Sequence, residues 1–120
     1  MSTTIIGNQN FGVQIADSIT GIQGSVNTLL QDKGTENFGK ALDALTEAIK
    51  KENNLDDDKR SEVLQQINFL GQQATMPIEK RQGGLIKPII DTVSGVCAGV
   101  GGLAAAWVTW GPVISKFFGF

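Results

Sequence analysis

The sequence predicts a mainly α protein, a small bundle of three to four helices built on an antiparallel helical hairpin. Two amphipathic runs and one apolar run point there. Residues 36–51 and 57–75 repeat apolar side chains at steps of three and four, with charges on the opposite side. The run from Thr92 to Ser115 keeps helical spacing and contains no charged residue, which supplies an apolar C-terminal helix. A chain of 120 residues has room for one domain around one compact core.

At the N-terminus two periods compete. Phe11, Val13 and Ile15 alternate as a strand would, whereas Ile15, Ile19, Ile22, Val26 and Leu29 recur at heptad-like steps. The second pattern spans more residues and predicts a helix over about 15–31. Residues 1–14 are then expected to be extended or disordered. That segment is uncharged, β-prone and rich in Asn and Gln, the composition of stacked, self-templating sheets. Ile5, Ile6, Asn8, Gln9, Phe11, Val13 and Ile15 are its candidate self-assembly residues.

In the centre, Phe38, Ala41, Leu42, Leu45, Ala48 and Ile49 form one face of the first hairpin helix, with Thr35 as its N-cap and Asn53-Asn54 as its stop. Val63, Leu64, Ile67, Leu70 and Ala74 form the matching face of the second. Asp56, Asp57 and Asp58 precede it, where carboxylates cap free N–H groups and suit the positive helix end. The short connection makes the two helices antiparallel neighbours. Pro77 and Gly83-Gly84 then break the pattern. A single helix is expected over about 85–110, with Pro88 in its first turn, and a short amphipathic helix over 112–118 after Gly111-Pro112.

Composition excludes several function classes. The net charge of −2 gives no electrostatic footprint for nucleic acid. Histidine is absent, which removes the commonest general base and metal ligand. The aspartate triplet lacks the spaced oxygens, glycine and closing glutamate of a calcium loop and reads as a solvated cap. Cys97, the one cysteine, has no basic neighbour in sequence and reads as a small core residue, not a nucleophile. Gly83-Gly84 and Gly101-Gly102 lack the strand–loop–Lys context of a phosphate loop. No catalytic, metal or cofactor set emerges, so the expectation is a non-enzyme without cofactor. Met1 to Asn10 lacks a basic residue and a long apolar core, which predicts a cytoplasmic protein.

Function must then lie in assembly and in the apolar tail. Thr92 to Ser115 is long enough to span a bilayer as one helix. Trp107, Trp110, Phe117, Phe118 and Phe120 gather at one end as an interfacial belt would. Gly95 and Gly99 give the small-xxx-small spacing of close helix pairs, and Val100 and Leu103 extend that contact set. Lys80, Arg81 and Lys87 could meet anionic head groups. The run is equally compatible with the central helix of a soluble bundle, because Gly, Ala, Ser, Thr and Val dominate it.

The stretches "VLQQINFLGQQATMPIEKRQGGLIKPII" and "GGLAAAWVTWGPVISKFFGF" resemble the C-terminal region of small helical modules of bacterial conflict and programmed-cell-death systems. The likeness covers about Ala41 to Phe120 and is most specific at Trp107, Trp110, Gly111, Pro112, Phe117, Phe118 and Phe120. The N-terminal "GNQNFGVQI" is similar in composition to amyloid-like assembly motifs of death effectors. The resemblance implies an interaction or effector module, not an enzyme; with the assembly segment and the apolar tail the expectation is a self-assembling effector with an anionic membrane or a signalling protein as partner. The rival expectation is a soluble homo-oligomeric adaptor with the apolar helix at its core or subunit interface.

Overall fold

The computed structural model describes the backbone of residues 2–120 and the side chains from Phe11 onward. It is an all-helical bundle: α1 (Ser2–Leu30), α2 (Glu36–Lys51), α3 (Asp57–Thr75), a 3₁₀ turn at Ile78–Lys80, α4 (Gly83–Ala98) and α5 (Gly101–Phe117). The mainly α class holds, with five α-helices among the described residues instead of three or four.

The helices run alternately up and down. The α1 helix lies against α2 and α3, α5 against α2, and α4 against α3 and α5. Around the bundle the neighbours therefore follow the order α1, α2, α5, α4, α3, and the α2–α3 hairpin is clasped between α1 on one flank and an α4–α5 hairpin on the other. Among the described residues α1 touches neither α4 nor α5. The core joins Ile22, Val26 and Leu29 of α1 to Leu42, Leu45 and Ile49 of α2 and to Val63, Leu64, Ile67 and Leu70 of α3. On the far flank Ile86, Ile90, Val93 and Cys97 of α4 and Leu103 and Ile114 of α5 complete it.

Local chemistry fixes the ends. Asp56 caps α3 as its sequence predicts, accepting from the Lys59 N–H at 3.0 Å. Thr35 sits at the N-cap of α2 but makes no cap bond there; its hydroxyl donates instead to Leu29 O at 2.6 Å and so serves the end of α1. At the end of α2, Arg60 donates to Ile49 O, Glu52 O and Leu55 O at 2.6–3.0 Å, a charged fork on carbonyls that have no partner within their helix.

Three expectations are corrected. Residues 2–14 are helical, not extended: α1 spans Ser2–Leu30. Phe11 and Ile15 are half-buried toward the bundle while Val13 is 59% exposed, so the stripe of one helical face continues back to Phe11, where strand alternation would have kept all three together. Gln14 Oε1 ties this part down by accepting from the Ser61 hydroxyl at 2.9 Å. The side chains of Ile5, Ile6, Asn8 and Gln9 lie outside the described residues.

Second, the helix expected over 85–110 is two helices. Val100 adopts φ −127° and ψ 116°, and the chain reverses between Ala98 and Gly101. Glycines at 99, 101 and 102 each cost a helix about 1 kcal/mol relative to alanine, and folding back lets both halves bury a face. Third, α5 does not stop at Gly111-Pro112 but runs on to Phe117. The donor missing at Pro112 frees only the carbonyl of Val108, a residue 75% exposed and open to water. Pro88 likewise stands inside α4, beyond its first turn, above exposed Gly84.

Candidate functional site

The α4–α5 hairpin brings most of the sequence-predicted contact residues onto one element but divides them among three environments. Leu103 is fully buried in the core. Val100, Trp107, Trp110, Phe117 and Phe118 are half-buried and packed against that core. Gly95 and Gly99 are exposed. Nothing lies within 4 Å of the position a Cβ would take at Gly95, so α4 offers bare backbone to an incoming surface there.

Both helices also carry exposed uncharged residues that residue spacing alone did not delimit. Thr92, Gly95 and Ala98 of α4 and Ala105, Val108 and Thr109 of α5 are all exposed. The hairpin is polarised because its strands of helix are antiparallel. The reversal at Gly99–Gly101 is uncharged; Lys80 and Lys116 lie at the open end, while Lys87 and Asp91 stand about one and two turns along α4. Lys87 pairs with Asp91 there at 3.1 Å across one helical turn. Beside the reversal an open groove of about 470 Å³ runs between Leu55, Asp56 and Lys59 on one side and Gly95, Val96 and Val100 on the other.

The aromatic end is arranged differently from an interfacial belt. Phe117 and Phe118 turn inward onto Phe38 at the start of α2, with ring centroids 4.4 and 5.3 Å away, and stand edge-to-face with each other. Arg81 covers both rings, its guanidinium carbon 5.2 Å from one centroid and 5.6 Å from the other. The same guanidinium donates to Gln73 O, Ala74 O and Met76 O at the end of α3. Next to it the buried Gln73 side chain accepts from the Gln82 N–H at 2.7 Å. Of the expected belt, Phe120 alone among the phenylalanines is more than half exposed, at 53%. The sequence alone offers Arg81 as a cation for anionic head groups; no periodicity signals a residue that joins the α3–α4 reversal to the end of α5.

Cys97 is fully buried, and burial pushes its thiol up to about 11. A neutral, enclosed thiol is a packing group, in keeping with the reading of the sequence. No group of His, Cys, Asp and Glu able to hold a metal occurs among the described residues. No helix of the described residues is long and apolar enough to cross a membrane.

No protein-family model, curated protein or solved structure matches the chain.

Proposed function

We propose that this protein is a non-enzymatic, self-assembling effector whose α4–α5 hairpin is its working surface and whose target is an anionic membrane. One observation carries the reading: the charge-free stretch Thr92 to Ser115 is folded back on itself with an uncharged tip, its nearest charge on α4, Asp91, standing about two turns from the tip and paired with Lys87, and Lys116 lying at the opposite end. A helical hairpin of that polarity meets a bilayer tip first and leaves its charges at the head groups. Since neither helix crosses a membrane alone, contact is made by the pair. The likeness of the tail to bacterial conflict and cell-death modules supports the same reading, and cytoplasmic protein recruited to the membrane is the matching location.

The position of the hairpin supports release from the bundle. It lies on the opposite flank from α1, so its departure leaves the α1–α2–α3 packing in place. Leaving uncovers Ile86, Ile90, Val93, Cys97, Leu103 and Ile114 together with the face they cover. At about 1.5–3 kcal/mol for each large side chain, release into water is prohibitive, and an alternative apolar host is required. Lipid provides one.

A second reading is favoured by the small residues of the exterior. Gly95, Ala98, Gly99 and Ala105 permit close helix approach, which suits a subunit interface of a soluble homo-oligomer or adaptor.

Co-flotation and dye release with anionic and neutral vesicles test the proposal on the full-length chain, beside mass by light scattering without lipid. Val108→Lys is the informative variant, because an exposed position accepts charge without disturbing the core. The membrane reading expects flotation and leakage with anionic vesicles, both lost in the variant. A discrete oligomer that ignores lipid and dissociates in the variant establishes the second reading instead.

A further inference from the structure

The α3–α4 reversal and the C-terminal end of α5 meet on a single side chain at the open end of the hairpin. Arg81 follows the 3₁₀ turn and precedes α4. Its guanidinium holds three carbonyls at the end of α3 and lies over the rings of Phe117 and Phe118 at the end of α5. It enters no ion pair among the described residues. Its positive charge is satisfied by carbonyls and aromatic faces, all of which belong to elements that must separate when the hairpin leaves.

Arg60 provides an internal comparison. It too forks onto helix-end carbonyls, at Ile49, Glu52 and Leu55, but those lie within the α2–α3 connection and no aromatic ring of α5 covers it. One arginine staples the hairpin that stays; the other staples the hairpin that moves.

We propose that Arg81 is an autoinhibitory latch: its stacking on Phe117 and Phe118 holds the C-terminus of α5 to the bundle, and opening this contact is the first step in exposing the charge-free stretch Thr92 to Ser115 of the hairpin. This rests on the proposed function for its consequence, not for its geometry. Phe117 and Phe118 form one end of α5 and stack on Phe38 at the start of α2, while at the other end Gly102 lies against Glu52 and Leu103 is buried in the core. Loosening the ring cluster frees α5 from its end inward while α1, α2 and α3 keep their mutual contacts.

Amide hydrogen exchange on the full chain, read by mass spectrometry, tests the latch alongside vesicle flotation. Arg81→Ala is expected to speed exchange over residues 113–120 at least tenfold while leaving 63–71 unchanged, and to raise the vesicle-bound fraction several-fold. Phe118→Leu removes ring stacking but leaves the Arg81 carbonyl bonds, and is expected to act in the same direction. Arg60→Ala is expected to speed exchange around 49–60 with no gain in vesicle binding. Faster exchange in all five helices alike, or an unchanged 113–120 segment in both latch variants, overturns the proposal. If exchange rises at 113–120 and no variant meets vesicles, the latch stands and the membrane reading falls.

Discussion

Cys97 shows how one buried atom reports on the state of the whole hairpin. Its thiol is pushed from an ordinary value of 9.0 to about 11 by desolvation alone. A folded value above the unfolded one contributes stability that is complete below about pH 9 and is lost as pH rises toward 11. The shift corresponds to at most about 3 kcal/mol. Denaturant titrations of wild type and Cys97→Ala between pH 8 and 11 are expected to converge as pH rises, since only wild type loses this increment. A neutral thiol reagent is expected to label Cys97 slowly in the free protein and faster on vesicles. Gly95 gives a second residue-scale prediction. With open space where its Cβ would stand, Gly95→Ala gains helix propensity and raises the melting temperature by the equivalent of up to about 1 kcal/mol. If α4 backbones approach closely in the assembly, the same variant weakens it, which light scattering reads. The burial of Cys97 is legible in the helical spacing it shares with Ile86, Ile90 and Val93, whereas the openness at Gly95 depends on which helices pack there.

At the scale of elements, what was legible and what was hidden divide by the kind of interaction. The α2 and α3 boundaries follow from amphipathic period and from the Asp56 cap, both local in sequence. The start of α1 was obscured because Phe11, Val13 and Ile15 all satisfy the strand period, whereas only Phe11 and Ile15 share a helical face. Only packing against α3, through Gln14 and Ser61, separates the two. The reversal at Gly99–Gly101 was hidden for the opposite reason: the apolar stripe from Leu85 to Ala104 runs through it without a phase change. Burial on two neighbouring helices decides the break. The arginine staples act over long sequence separations and leave no periodic trace. Arg60→Ala leaves the last carbonyls of α2 without their charged donor and is expected to cost about 2–3 kcal/mol in chemical denaturation, with Arg60→Lys restoring little because an ammonium cannot span three carbonyls.

The whole molecule is a three-helix unit with a hairpin laid on one side. Because α1 covers one flank of the α2–α3 hairpin and α4–α5 the other, a chain ending after Gln82 is expected to retain α1–α3 and to melt cooperatively at a lower temperature. It will also self-associate through the uncovered face. Circular dichroism melts and sedimentation check this; a non-cooperative melt would place the hairpin inside the folding unit and contradict a detachable role. The helical class and the apolar tail were legible in composition and period, but the placement of α1 and the α4–α5 hairpin on opposite flanks depends on which helices touch.

Both tryptophans of the chain, Trp107 and Trp110, lie on α5, so their fluorescence observes the hairpin alone. The most direct measurement is quenching of that fluorescence by bromine-labelled acyl chains in anionic vesicles, using the full-length protein. Blue-shifted emission with strong acyl-chain quenching, absent with neutral vesicles and lost in Val108→Lys, is the predicted result. Emission that is unchanged and unquenched on saturating anionic vesicles would contradict the account.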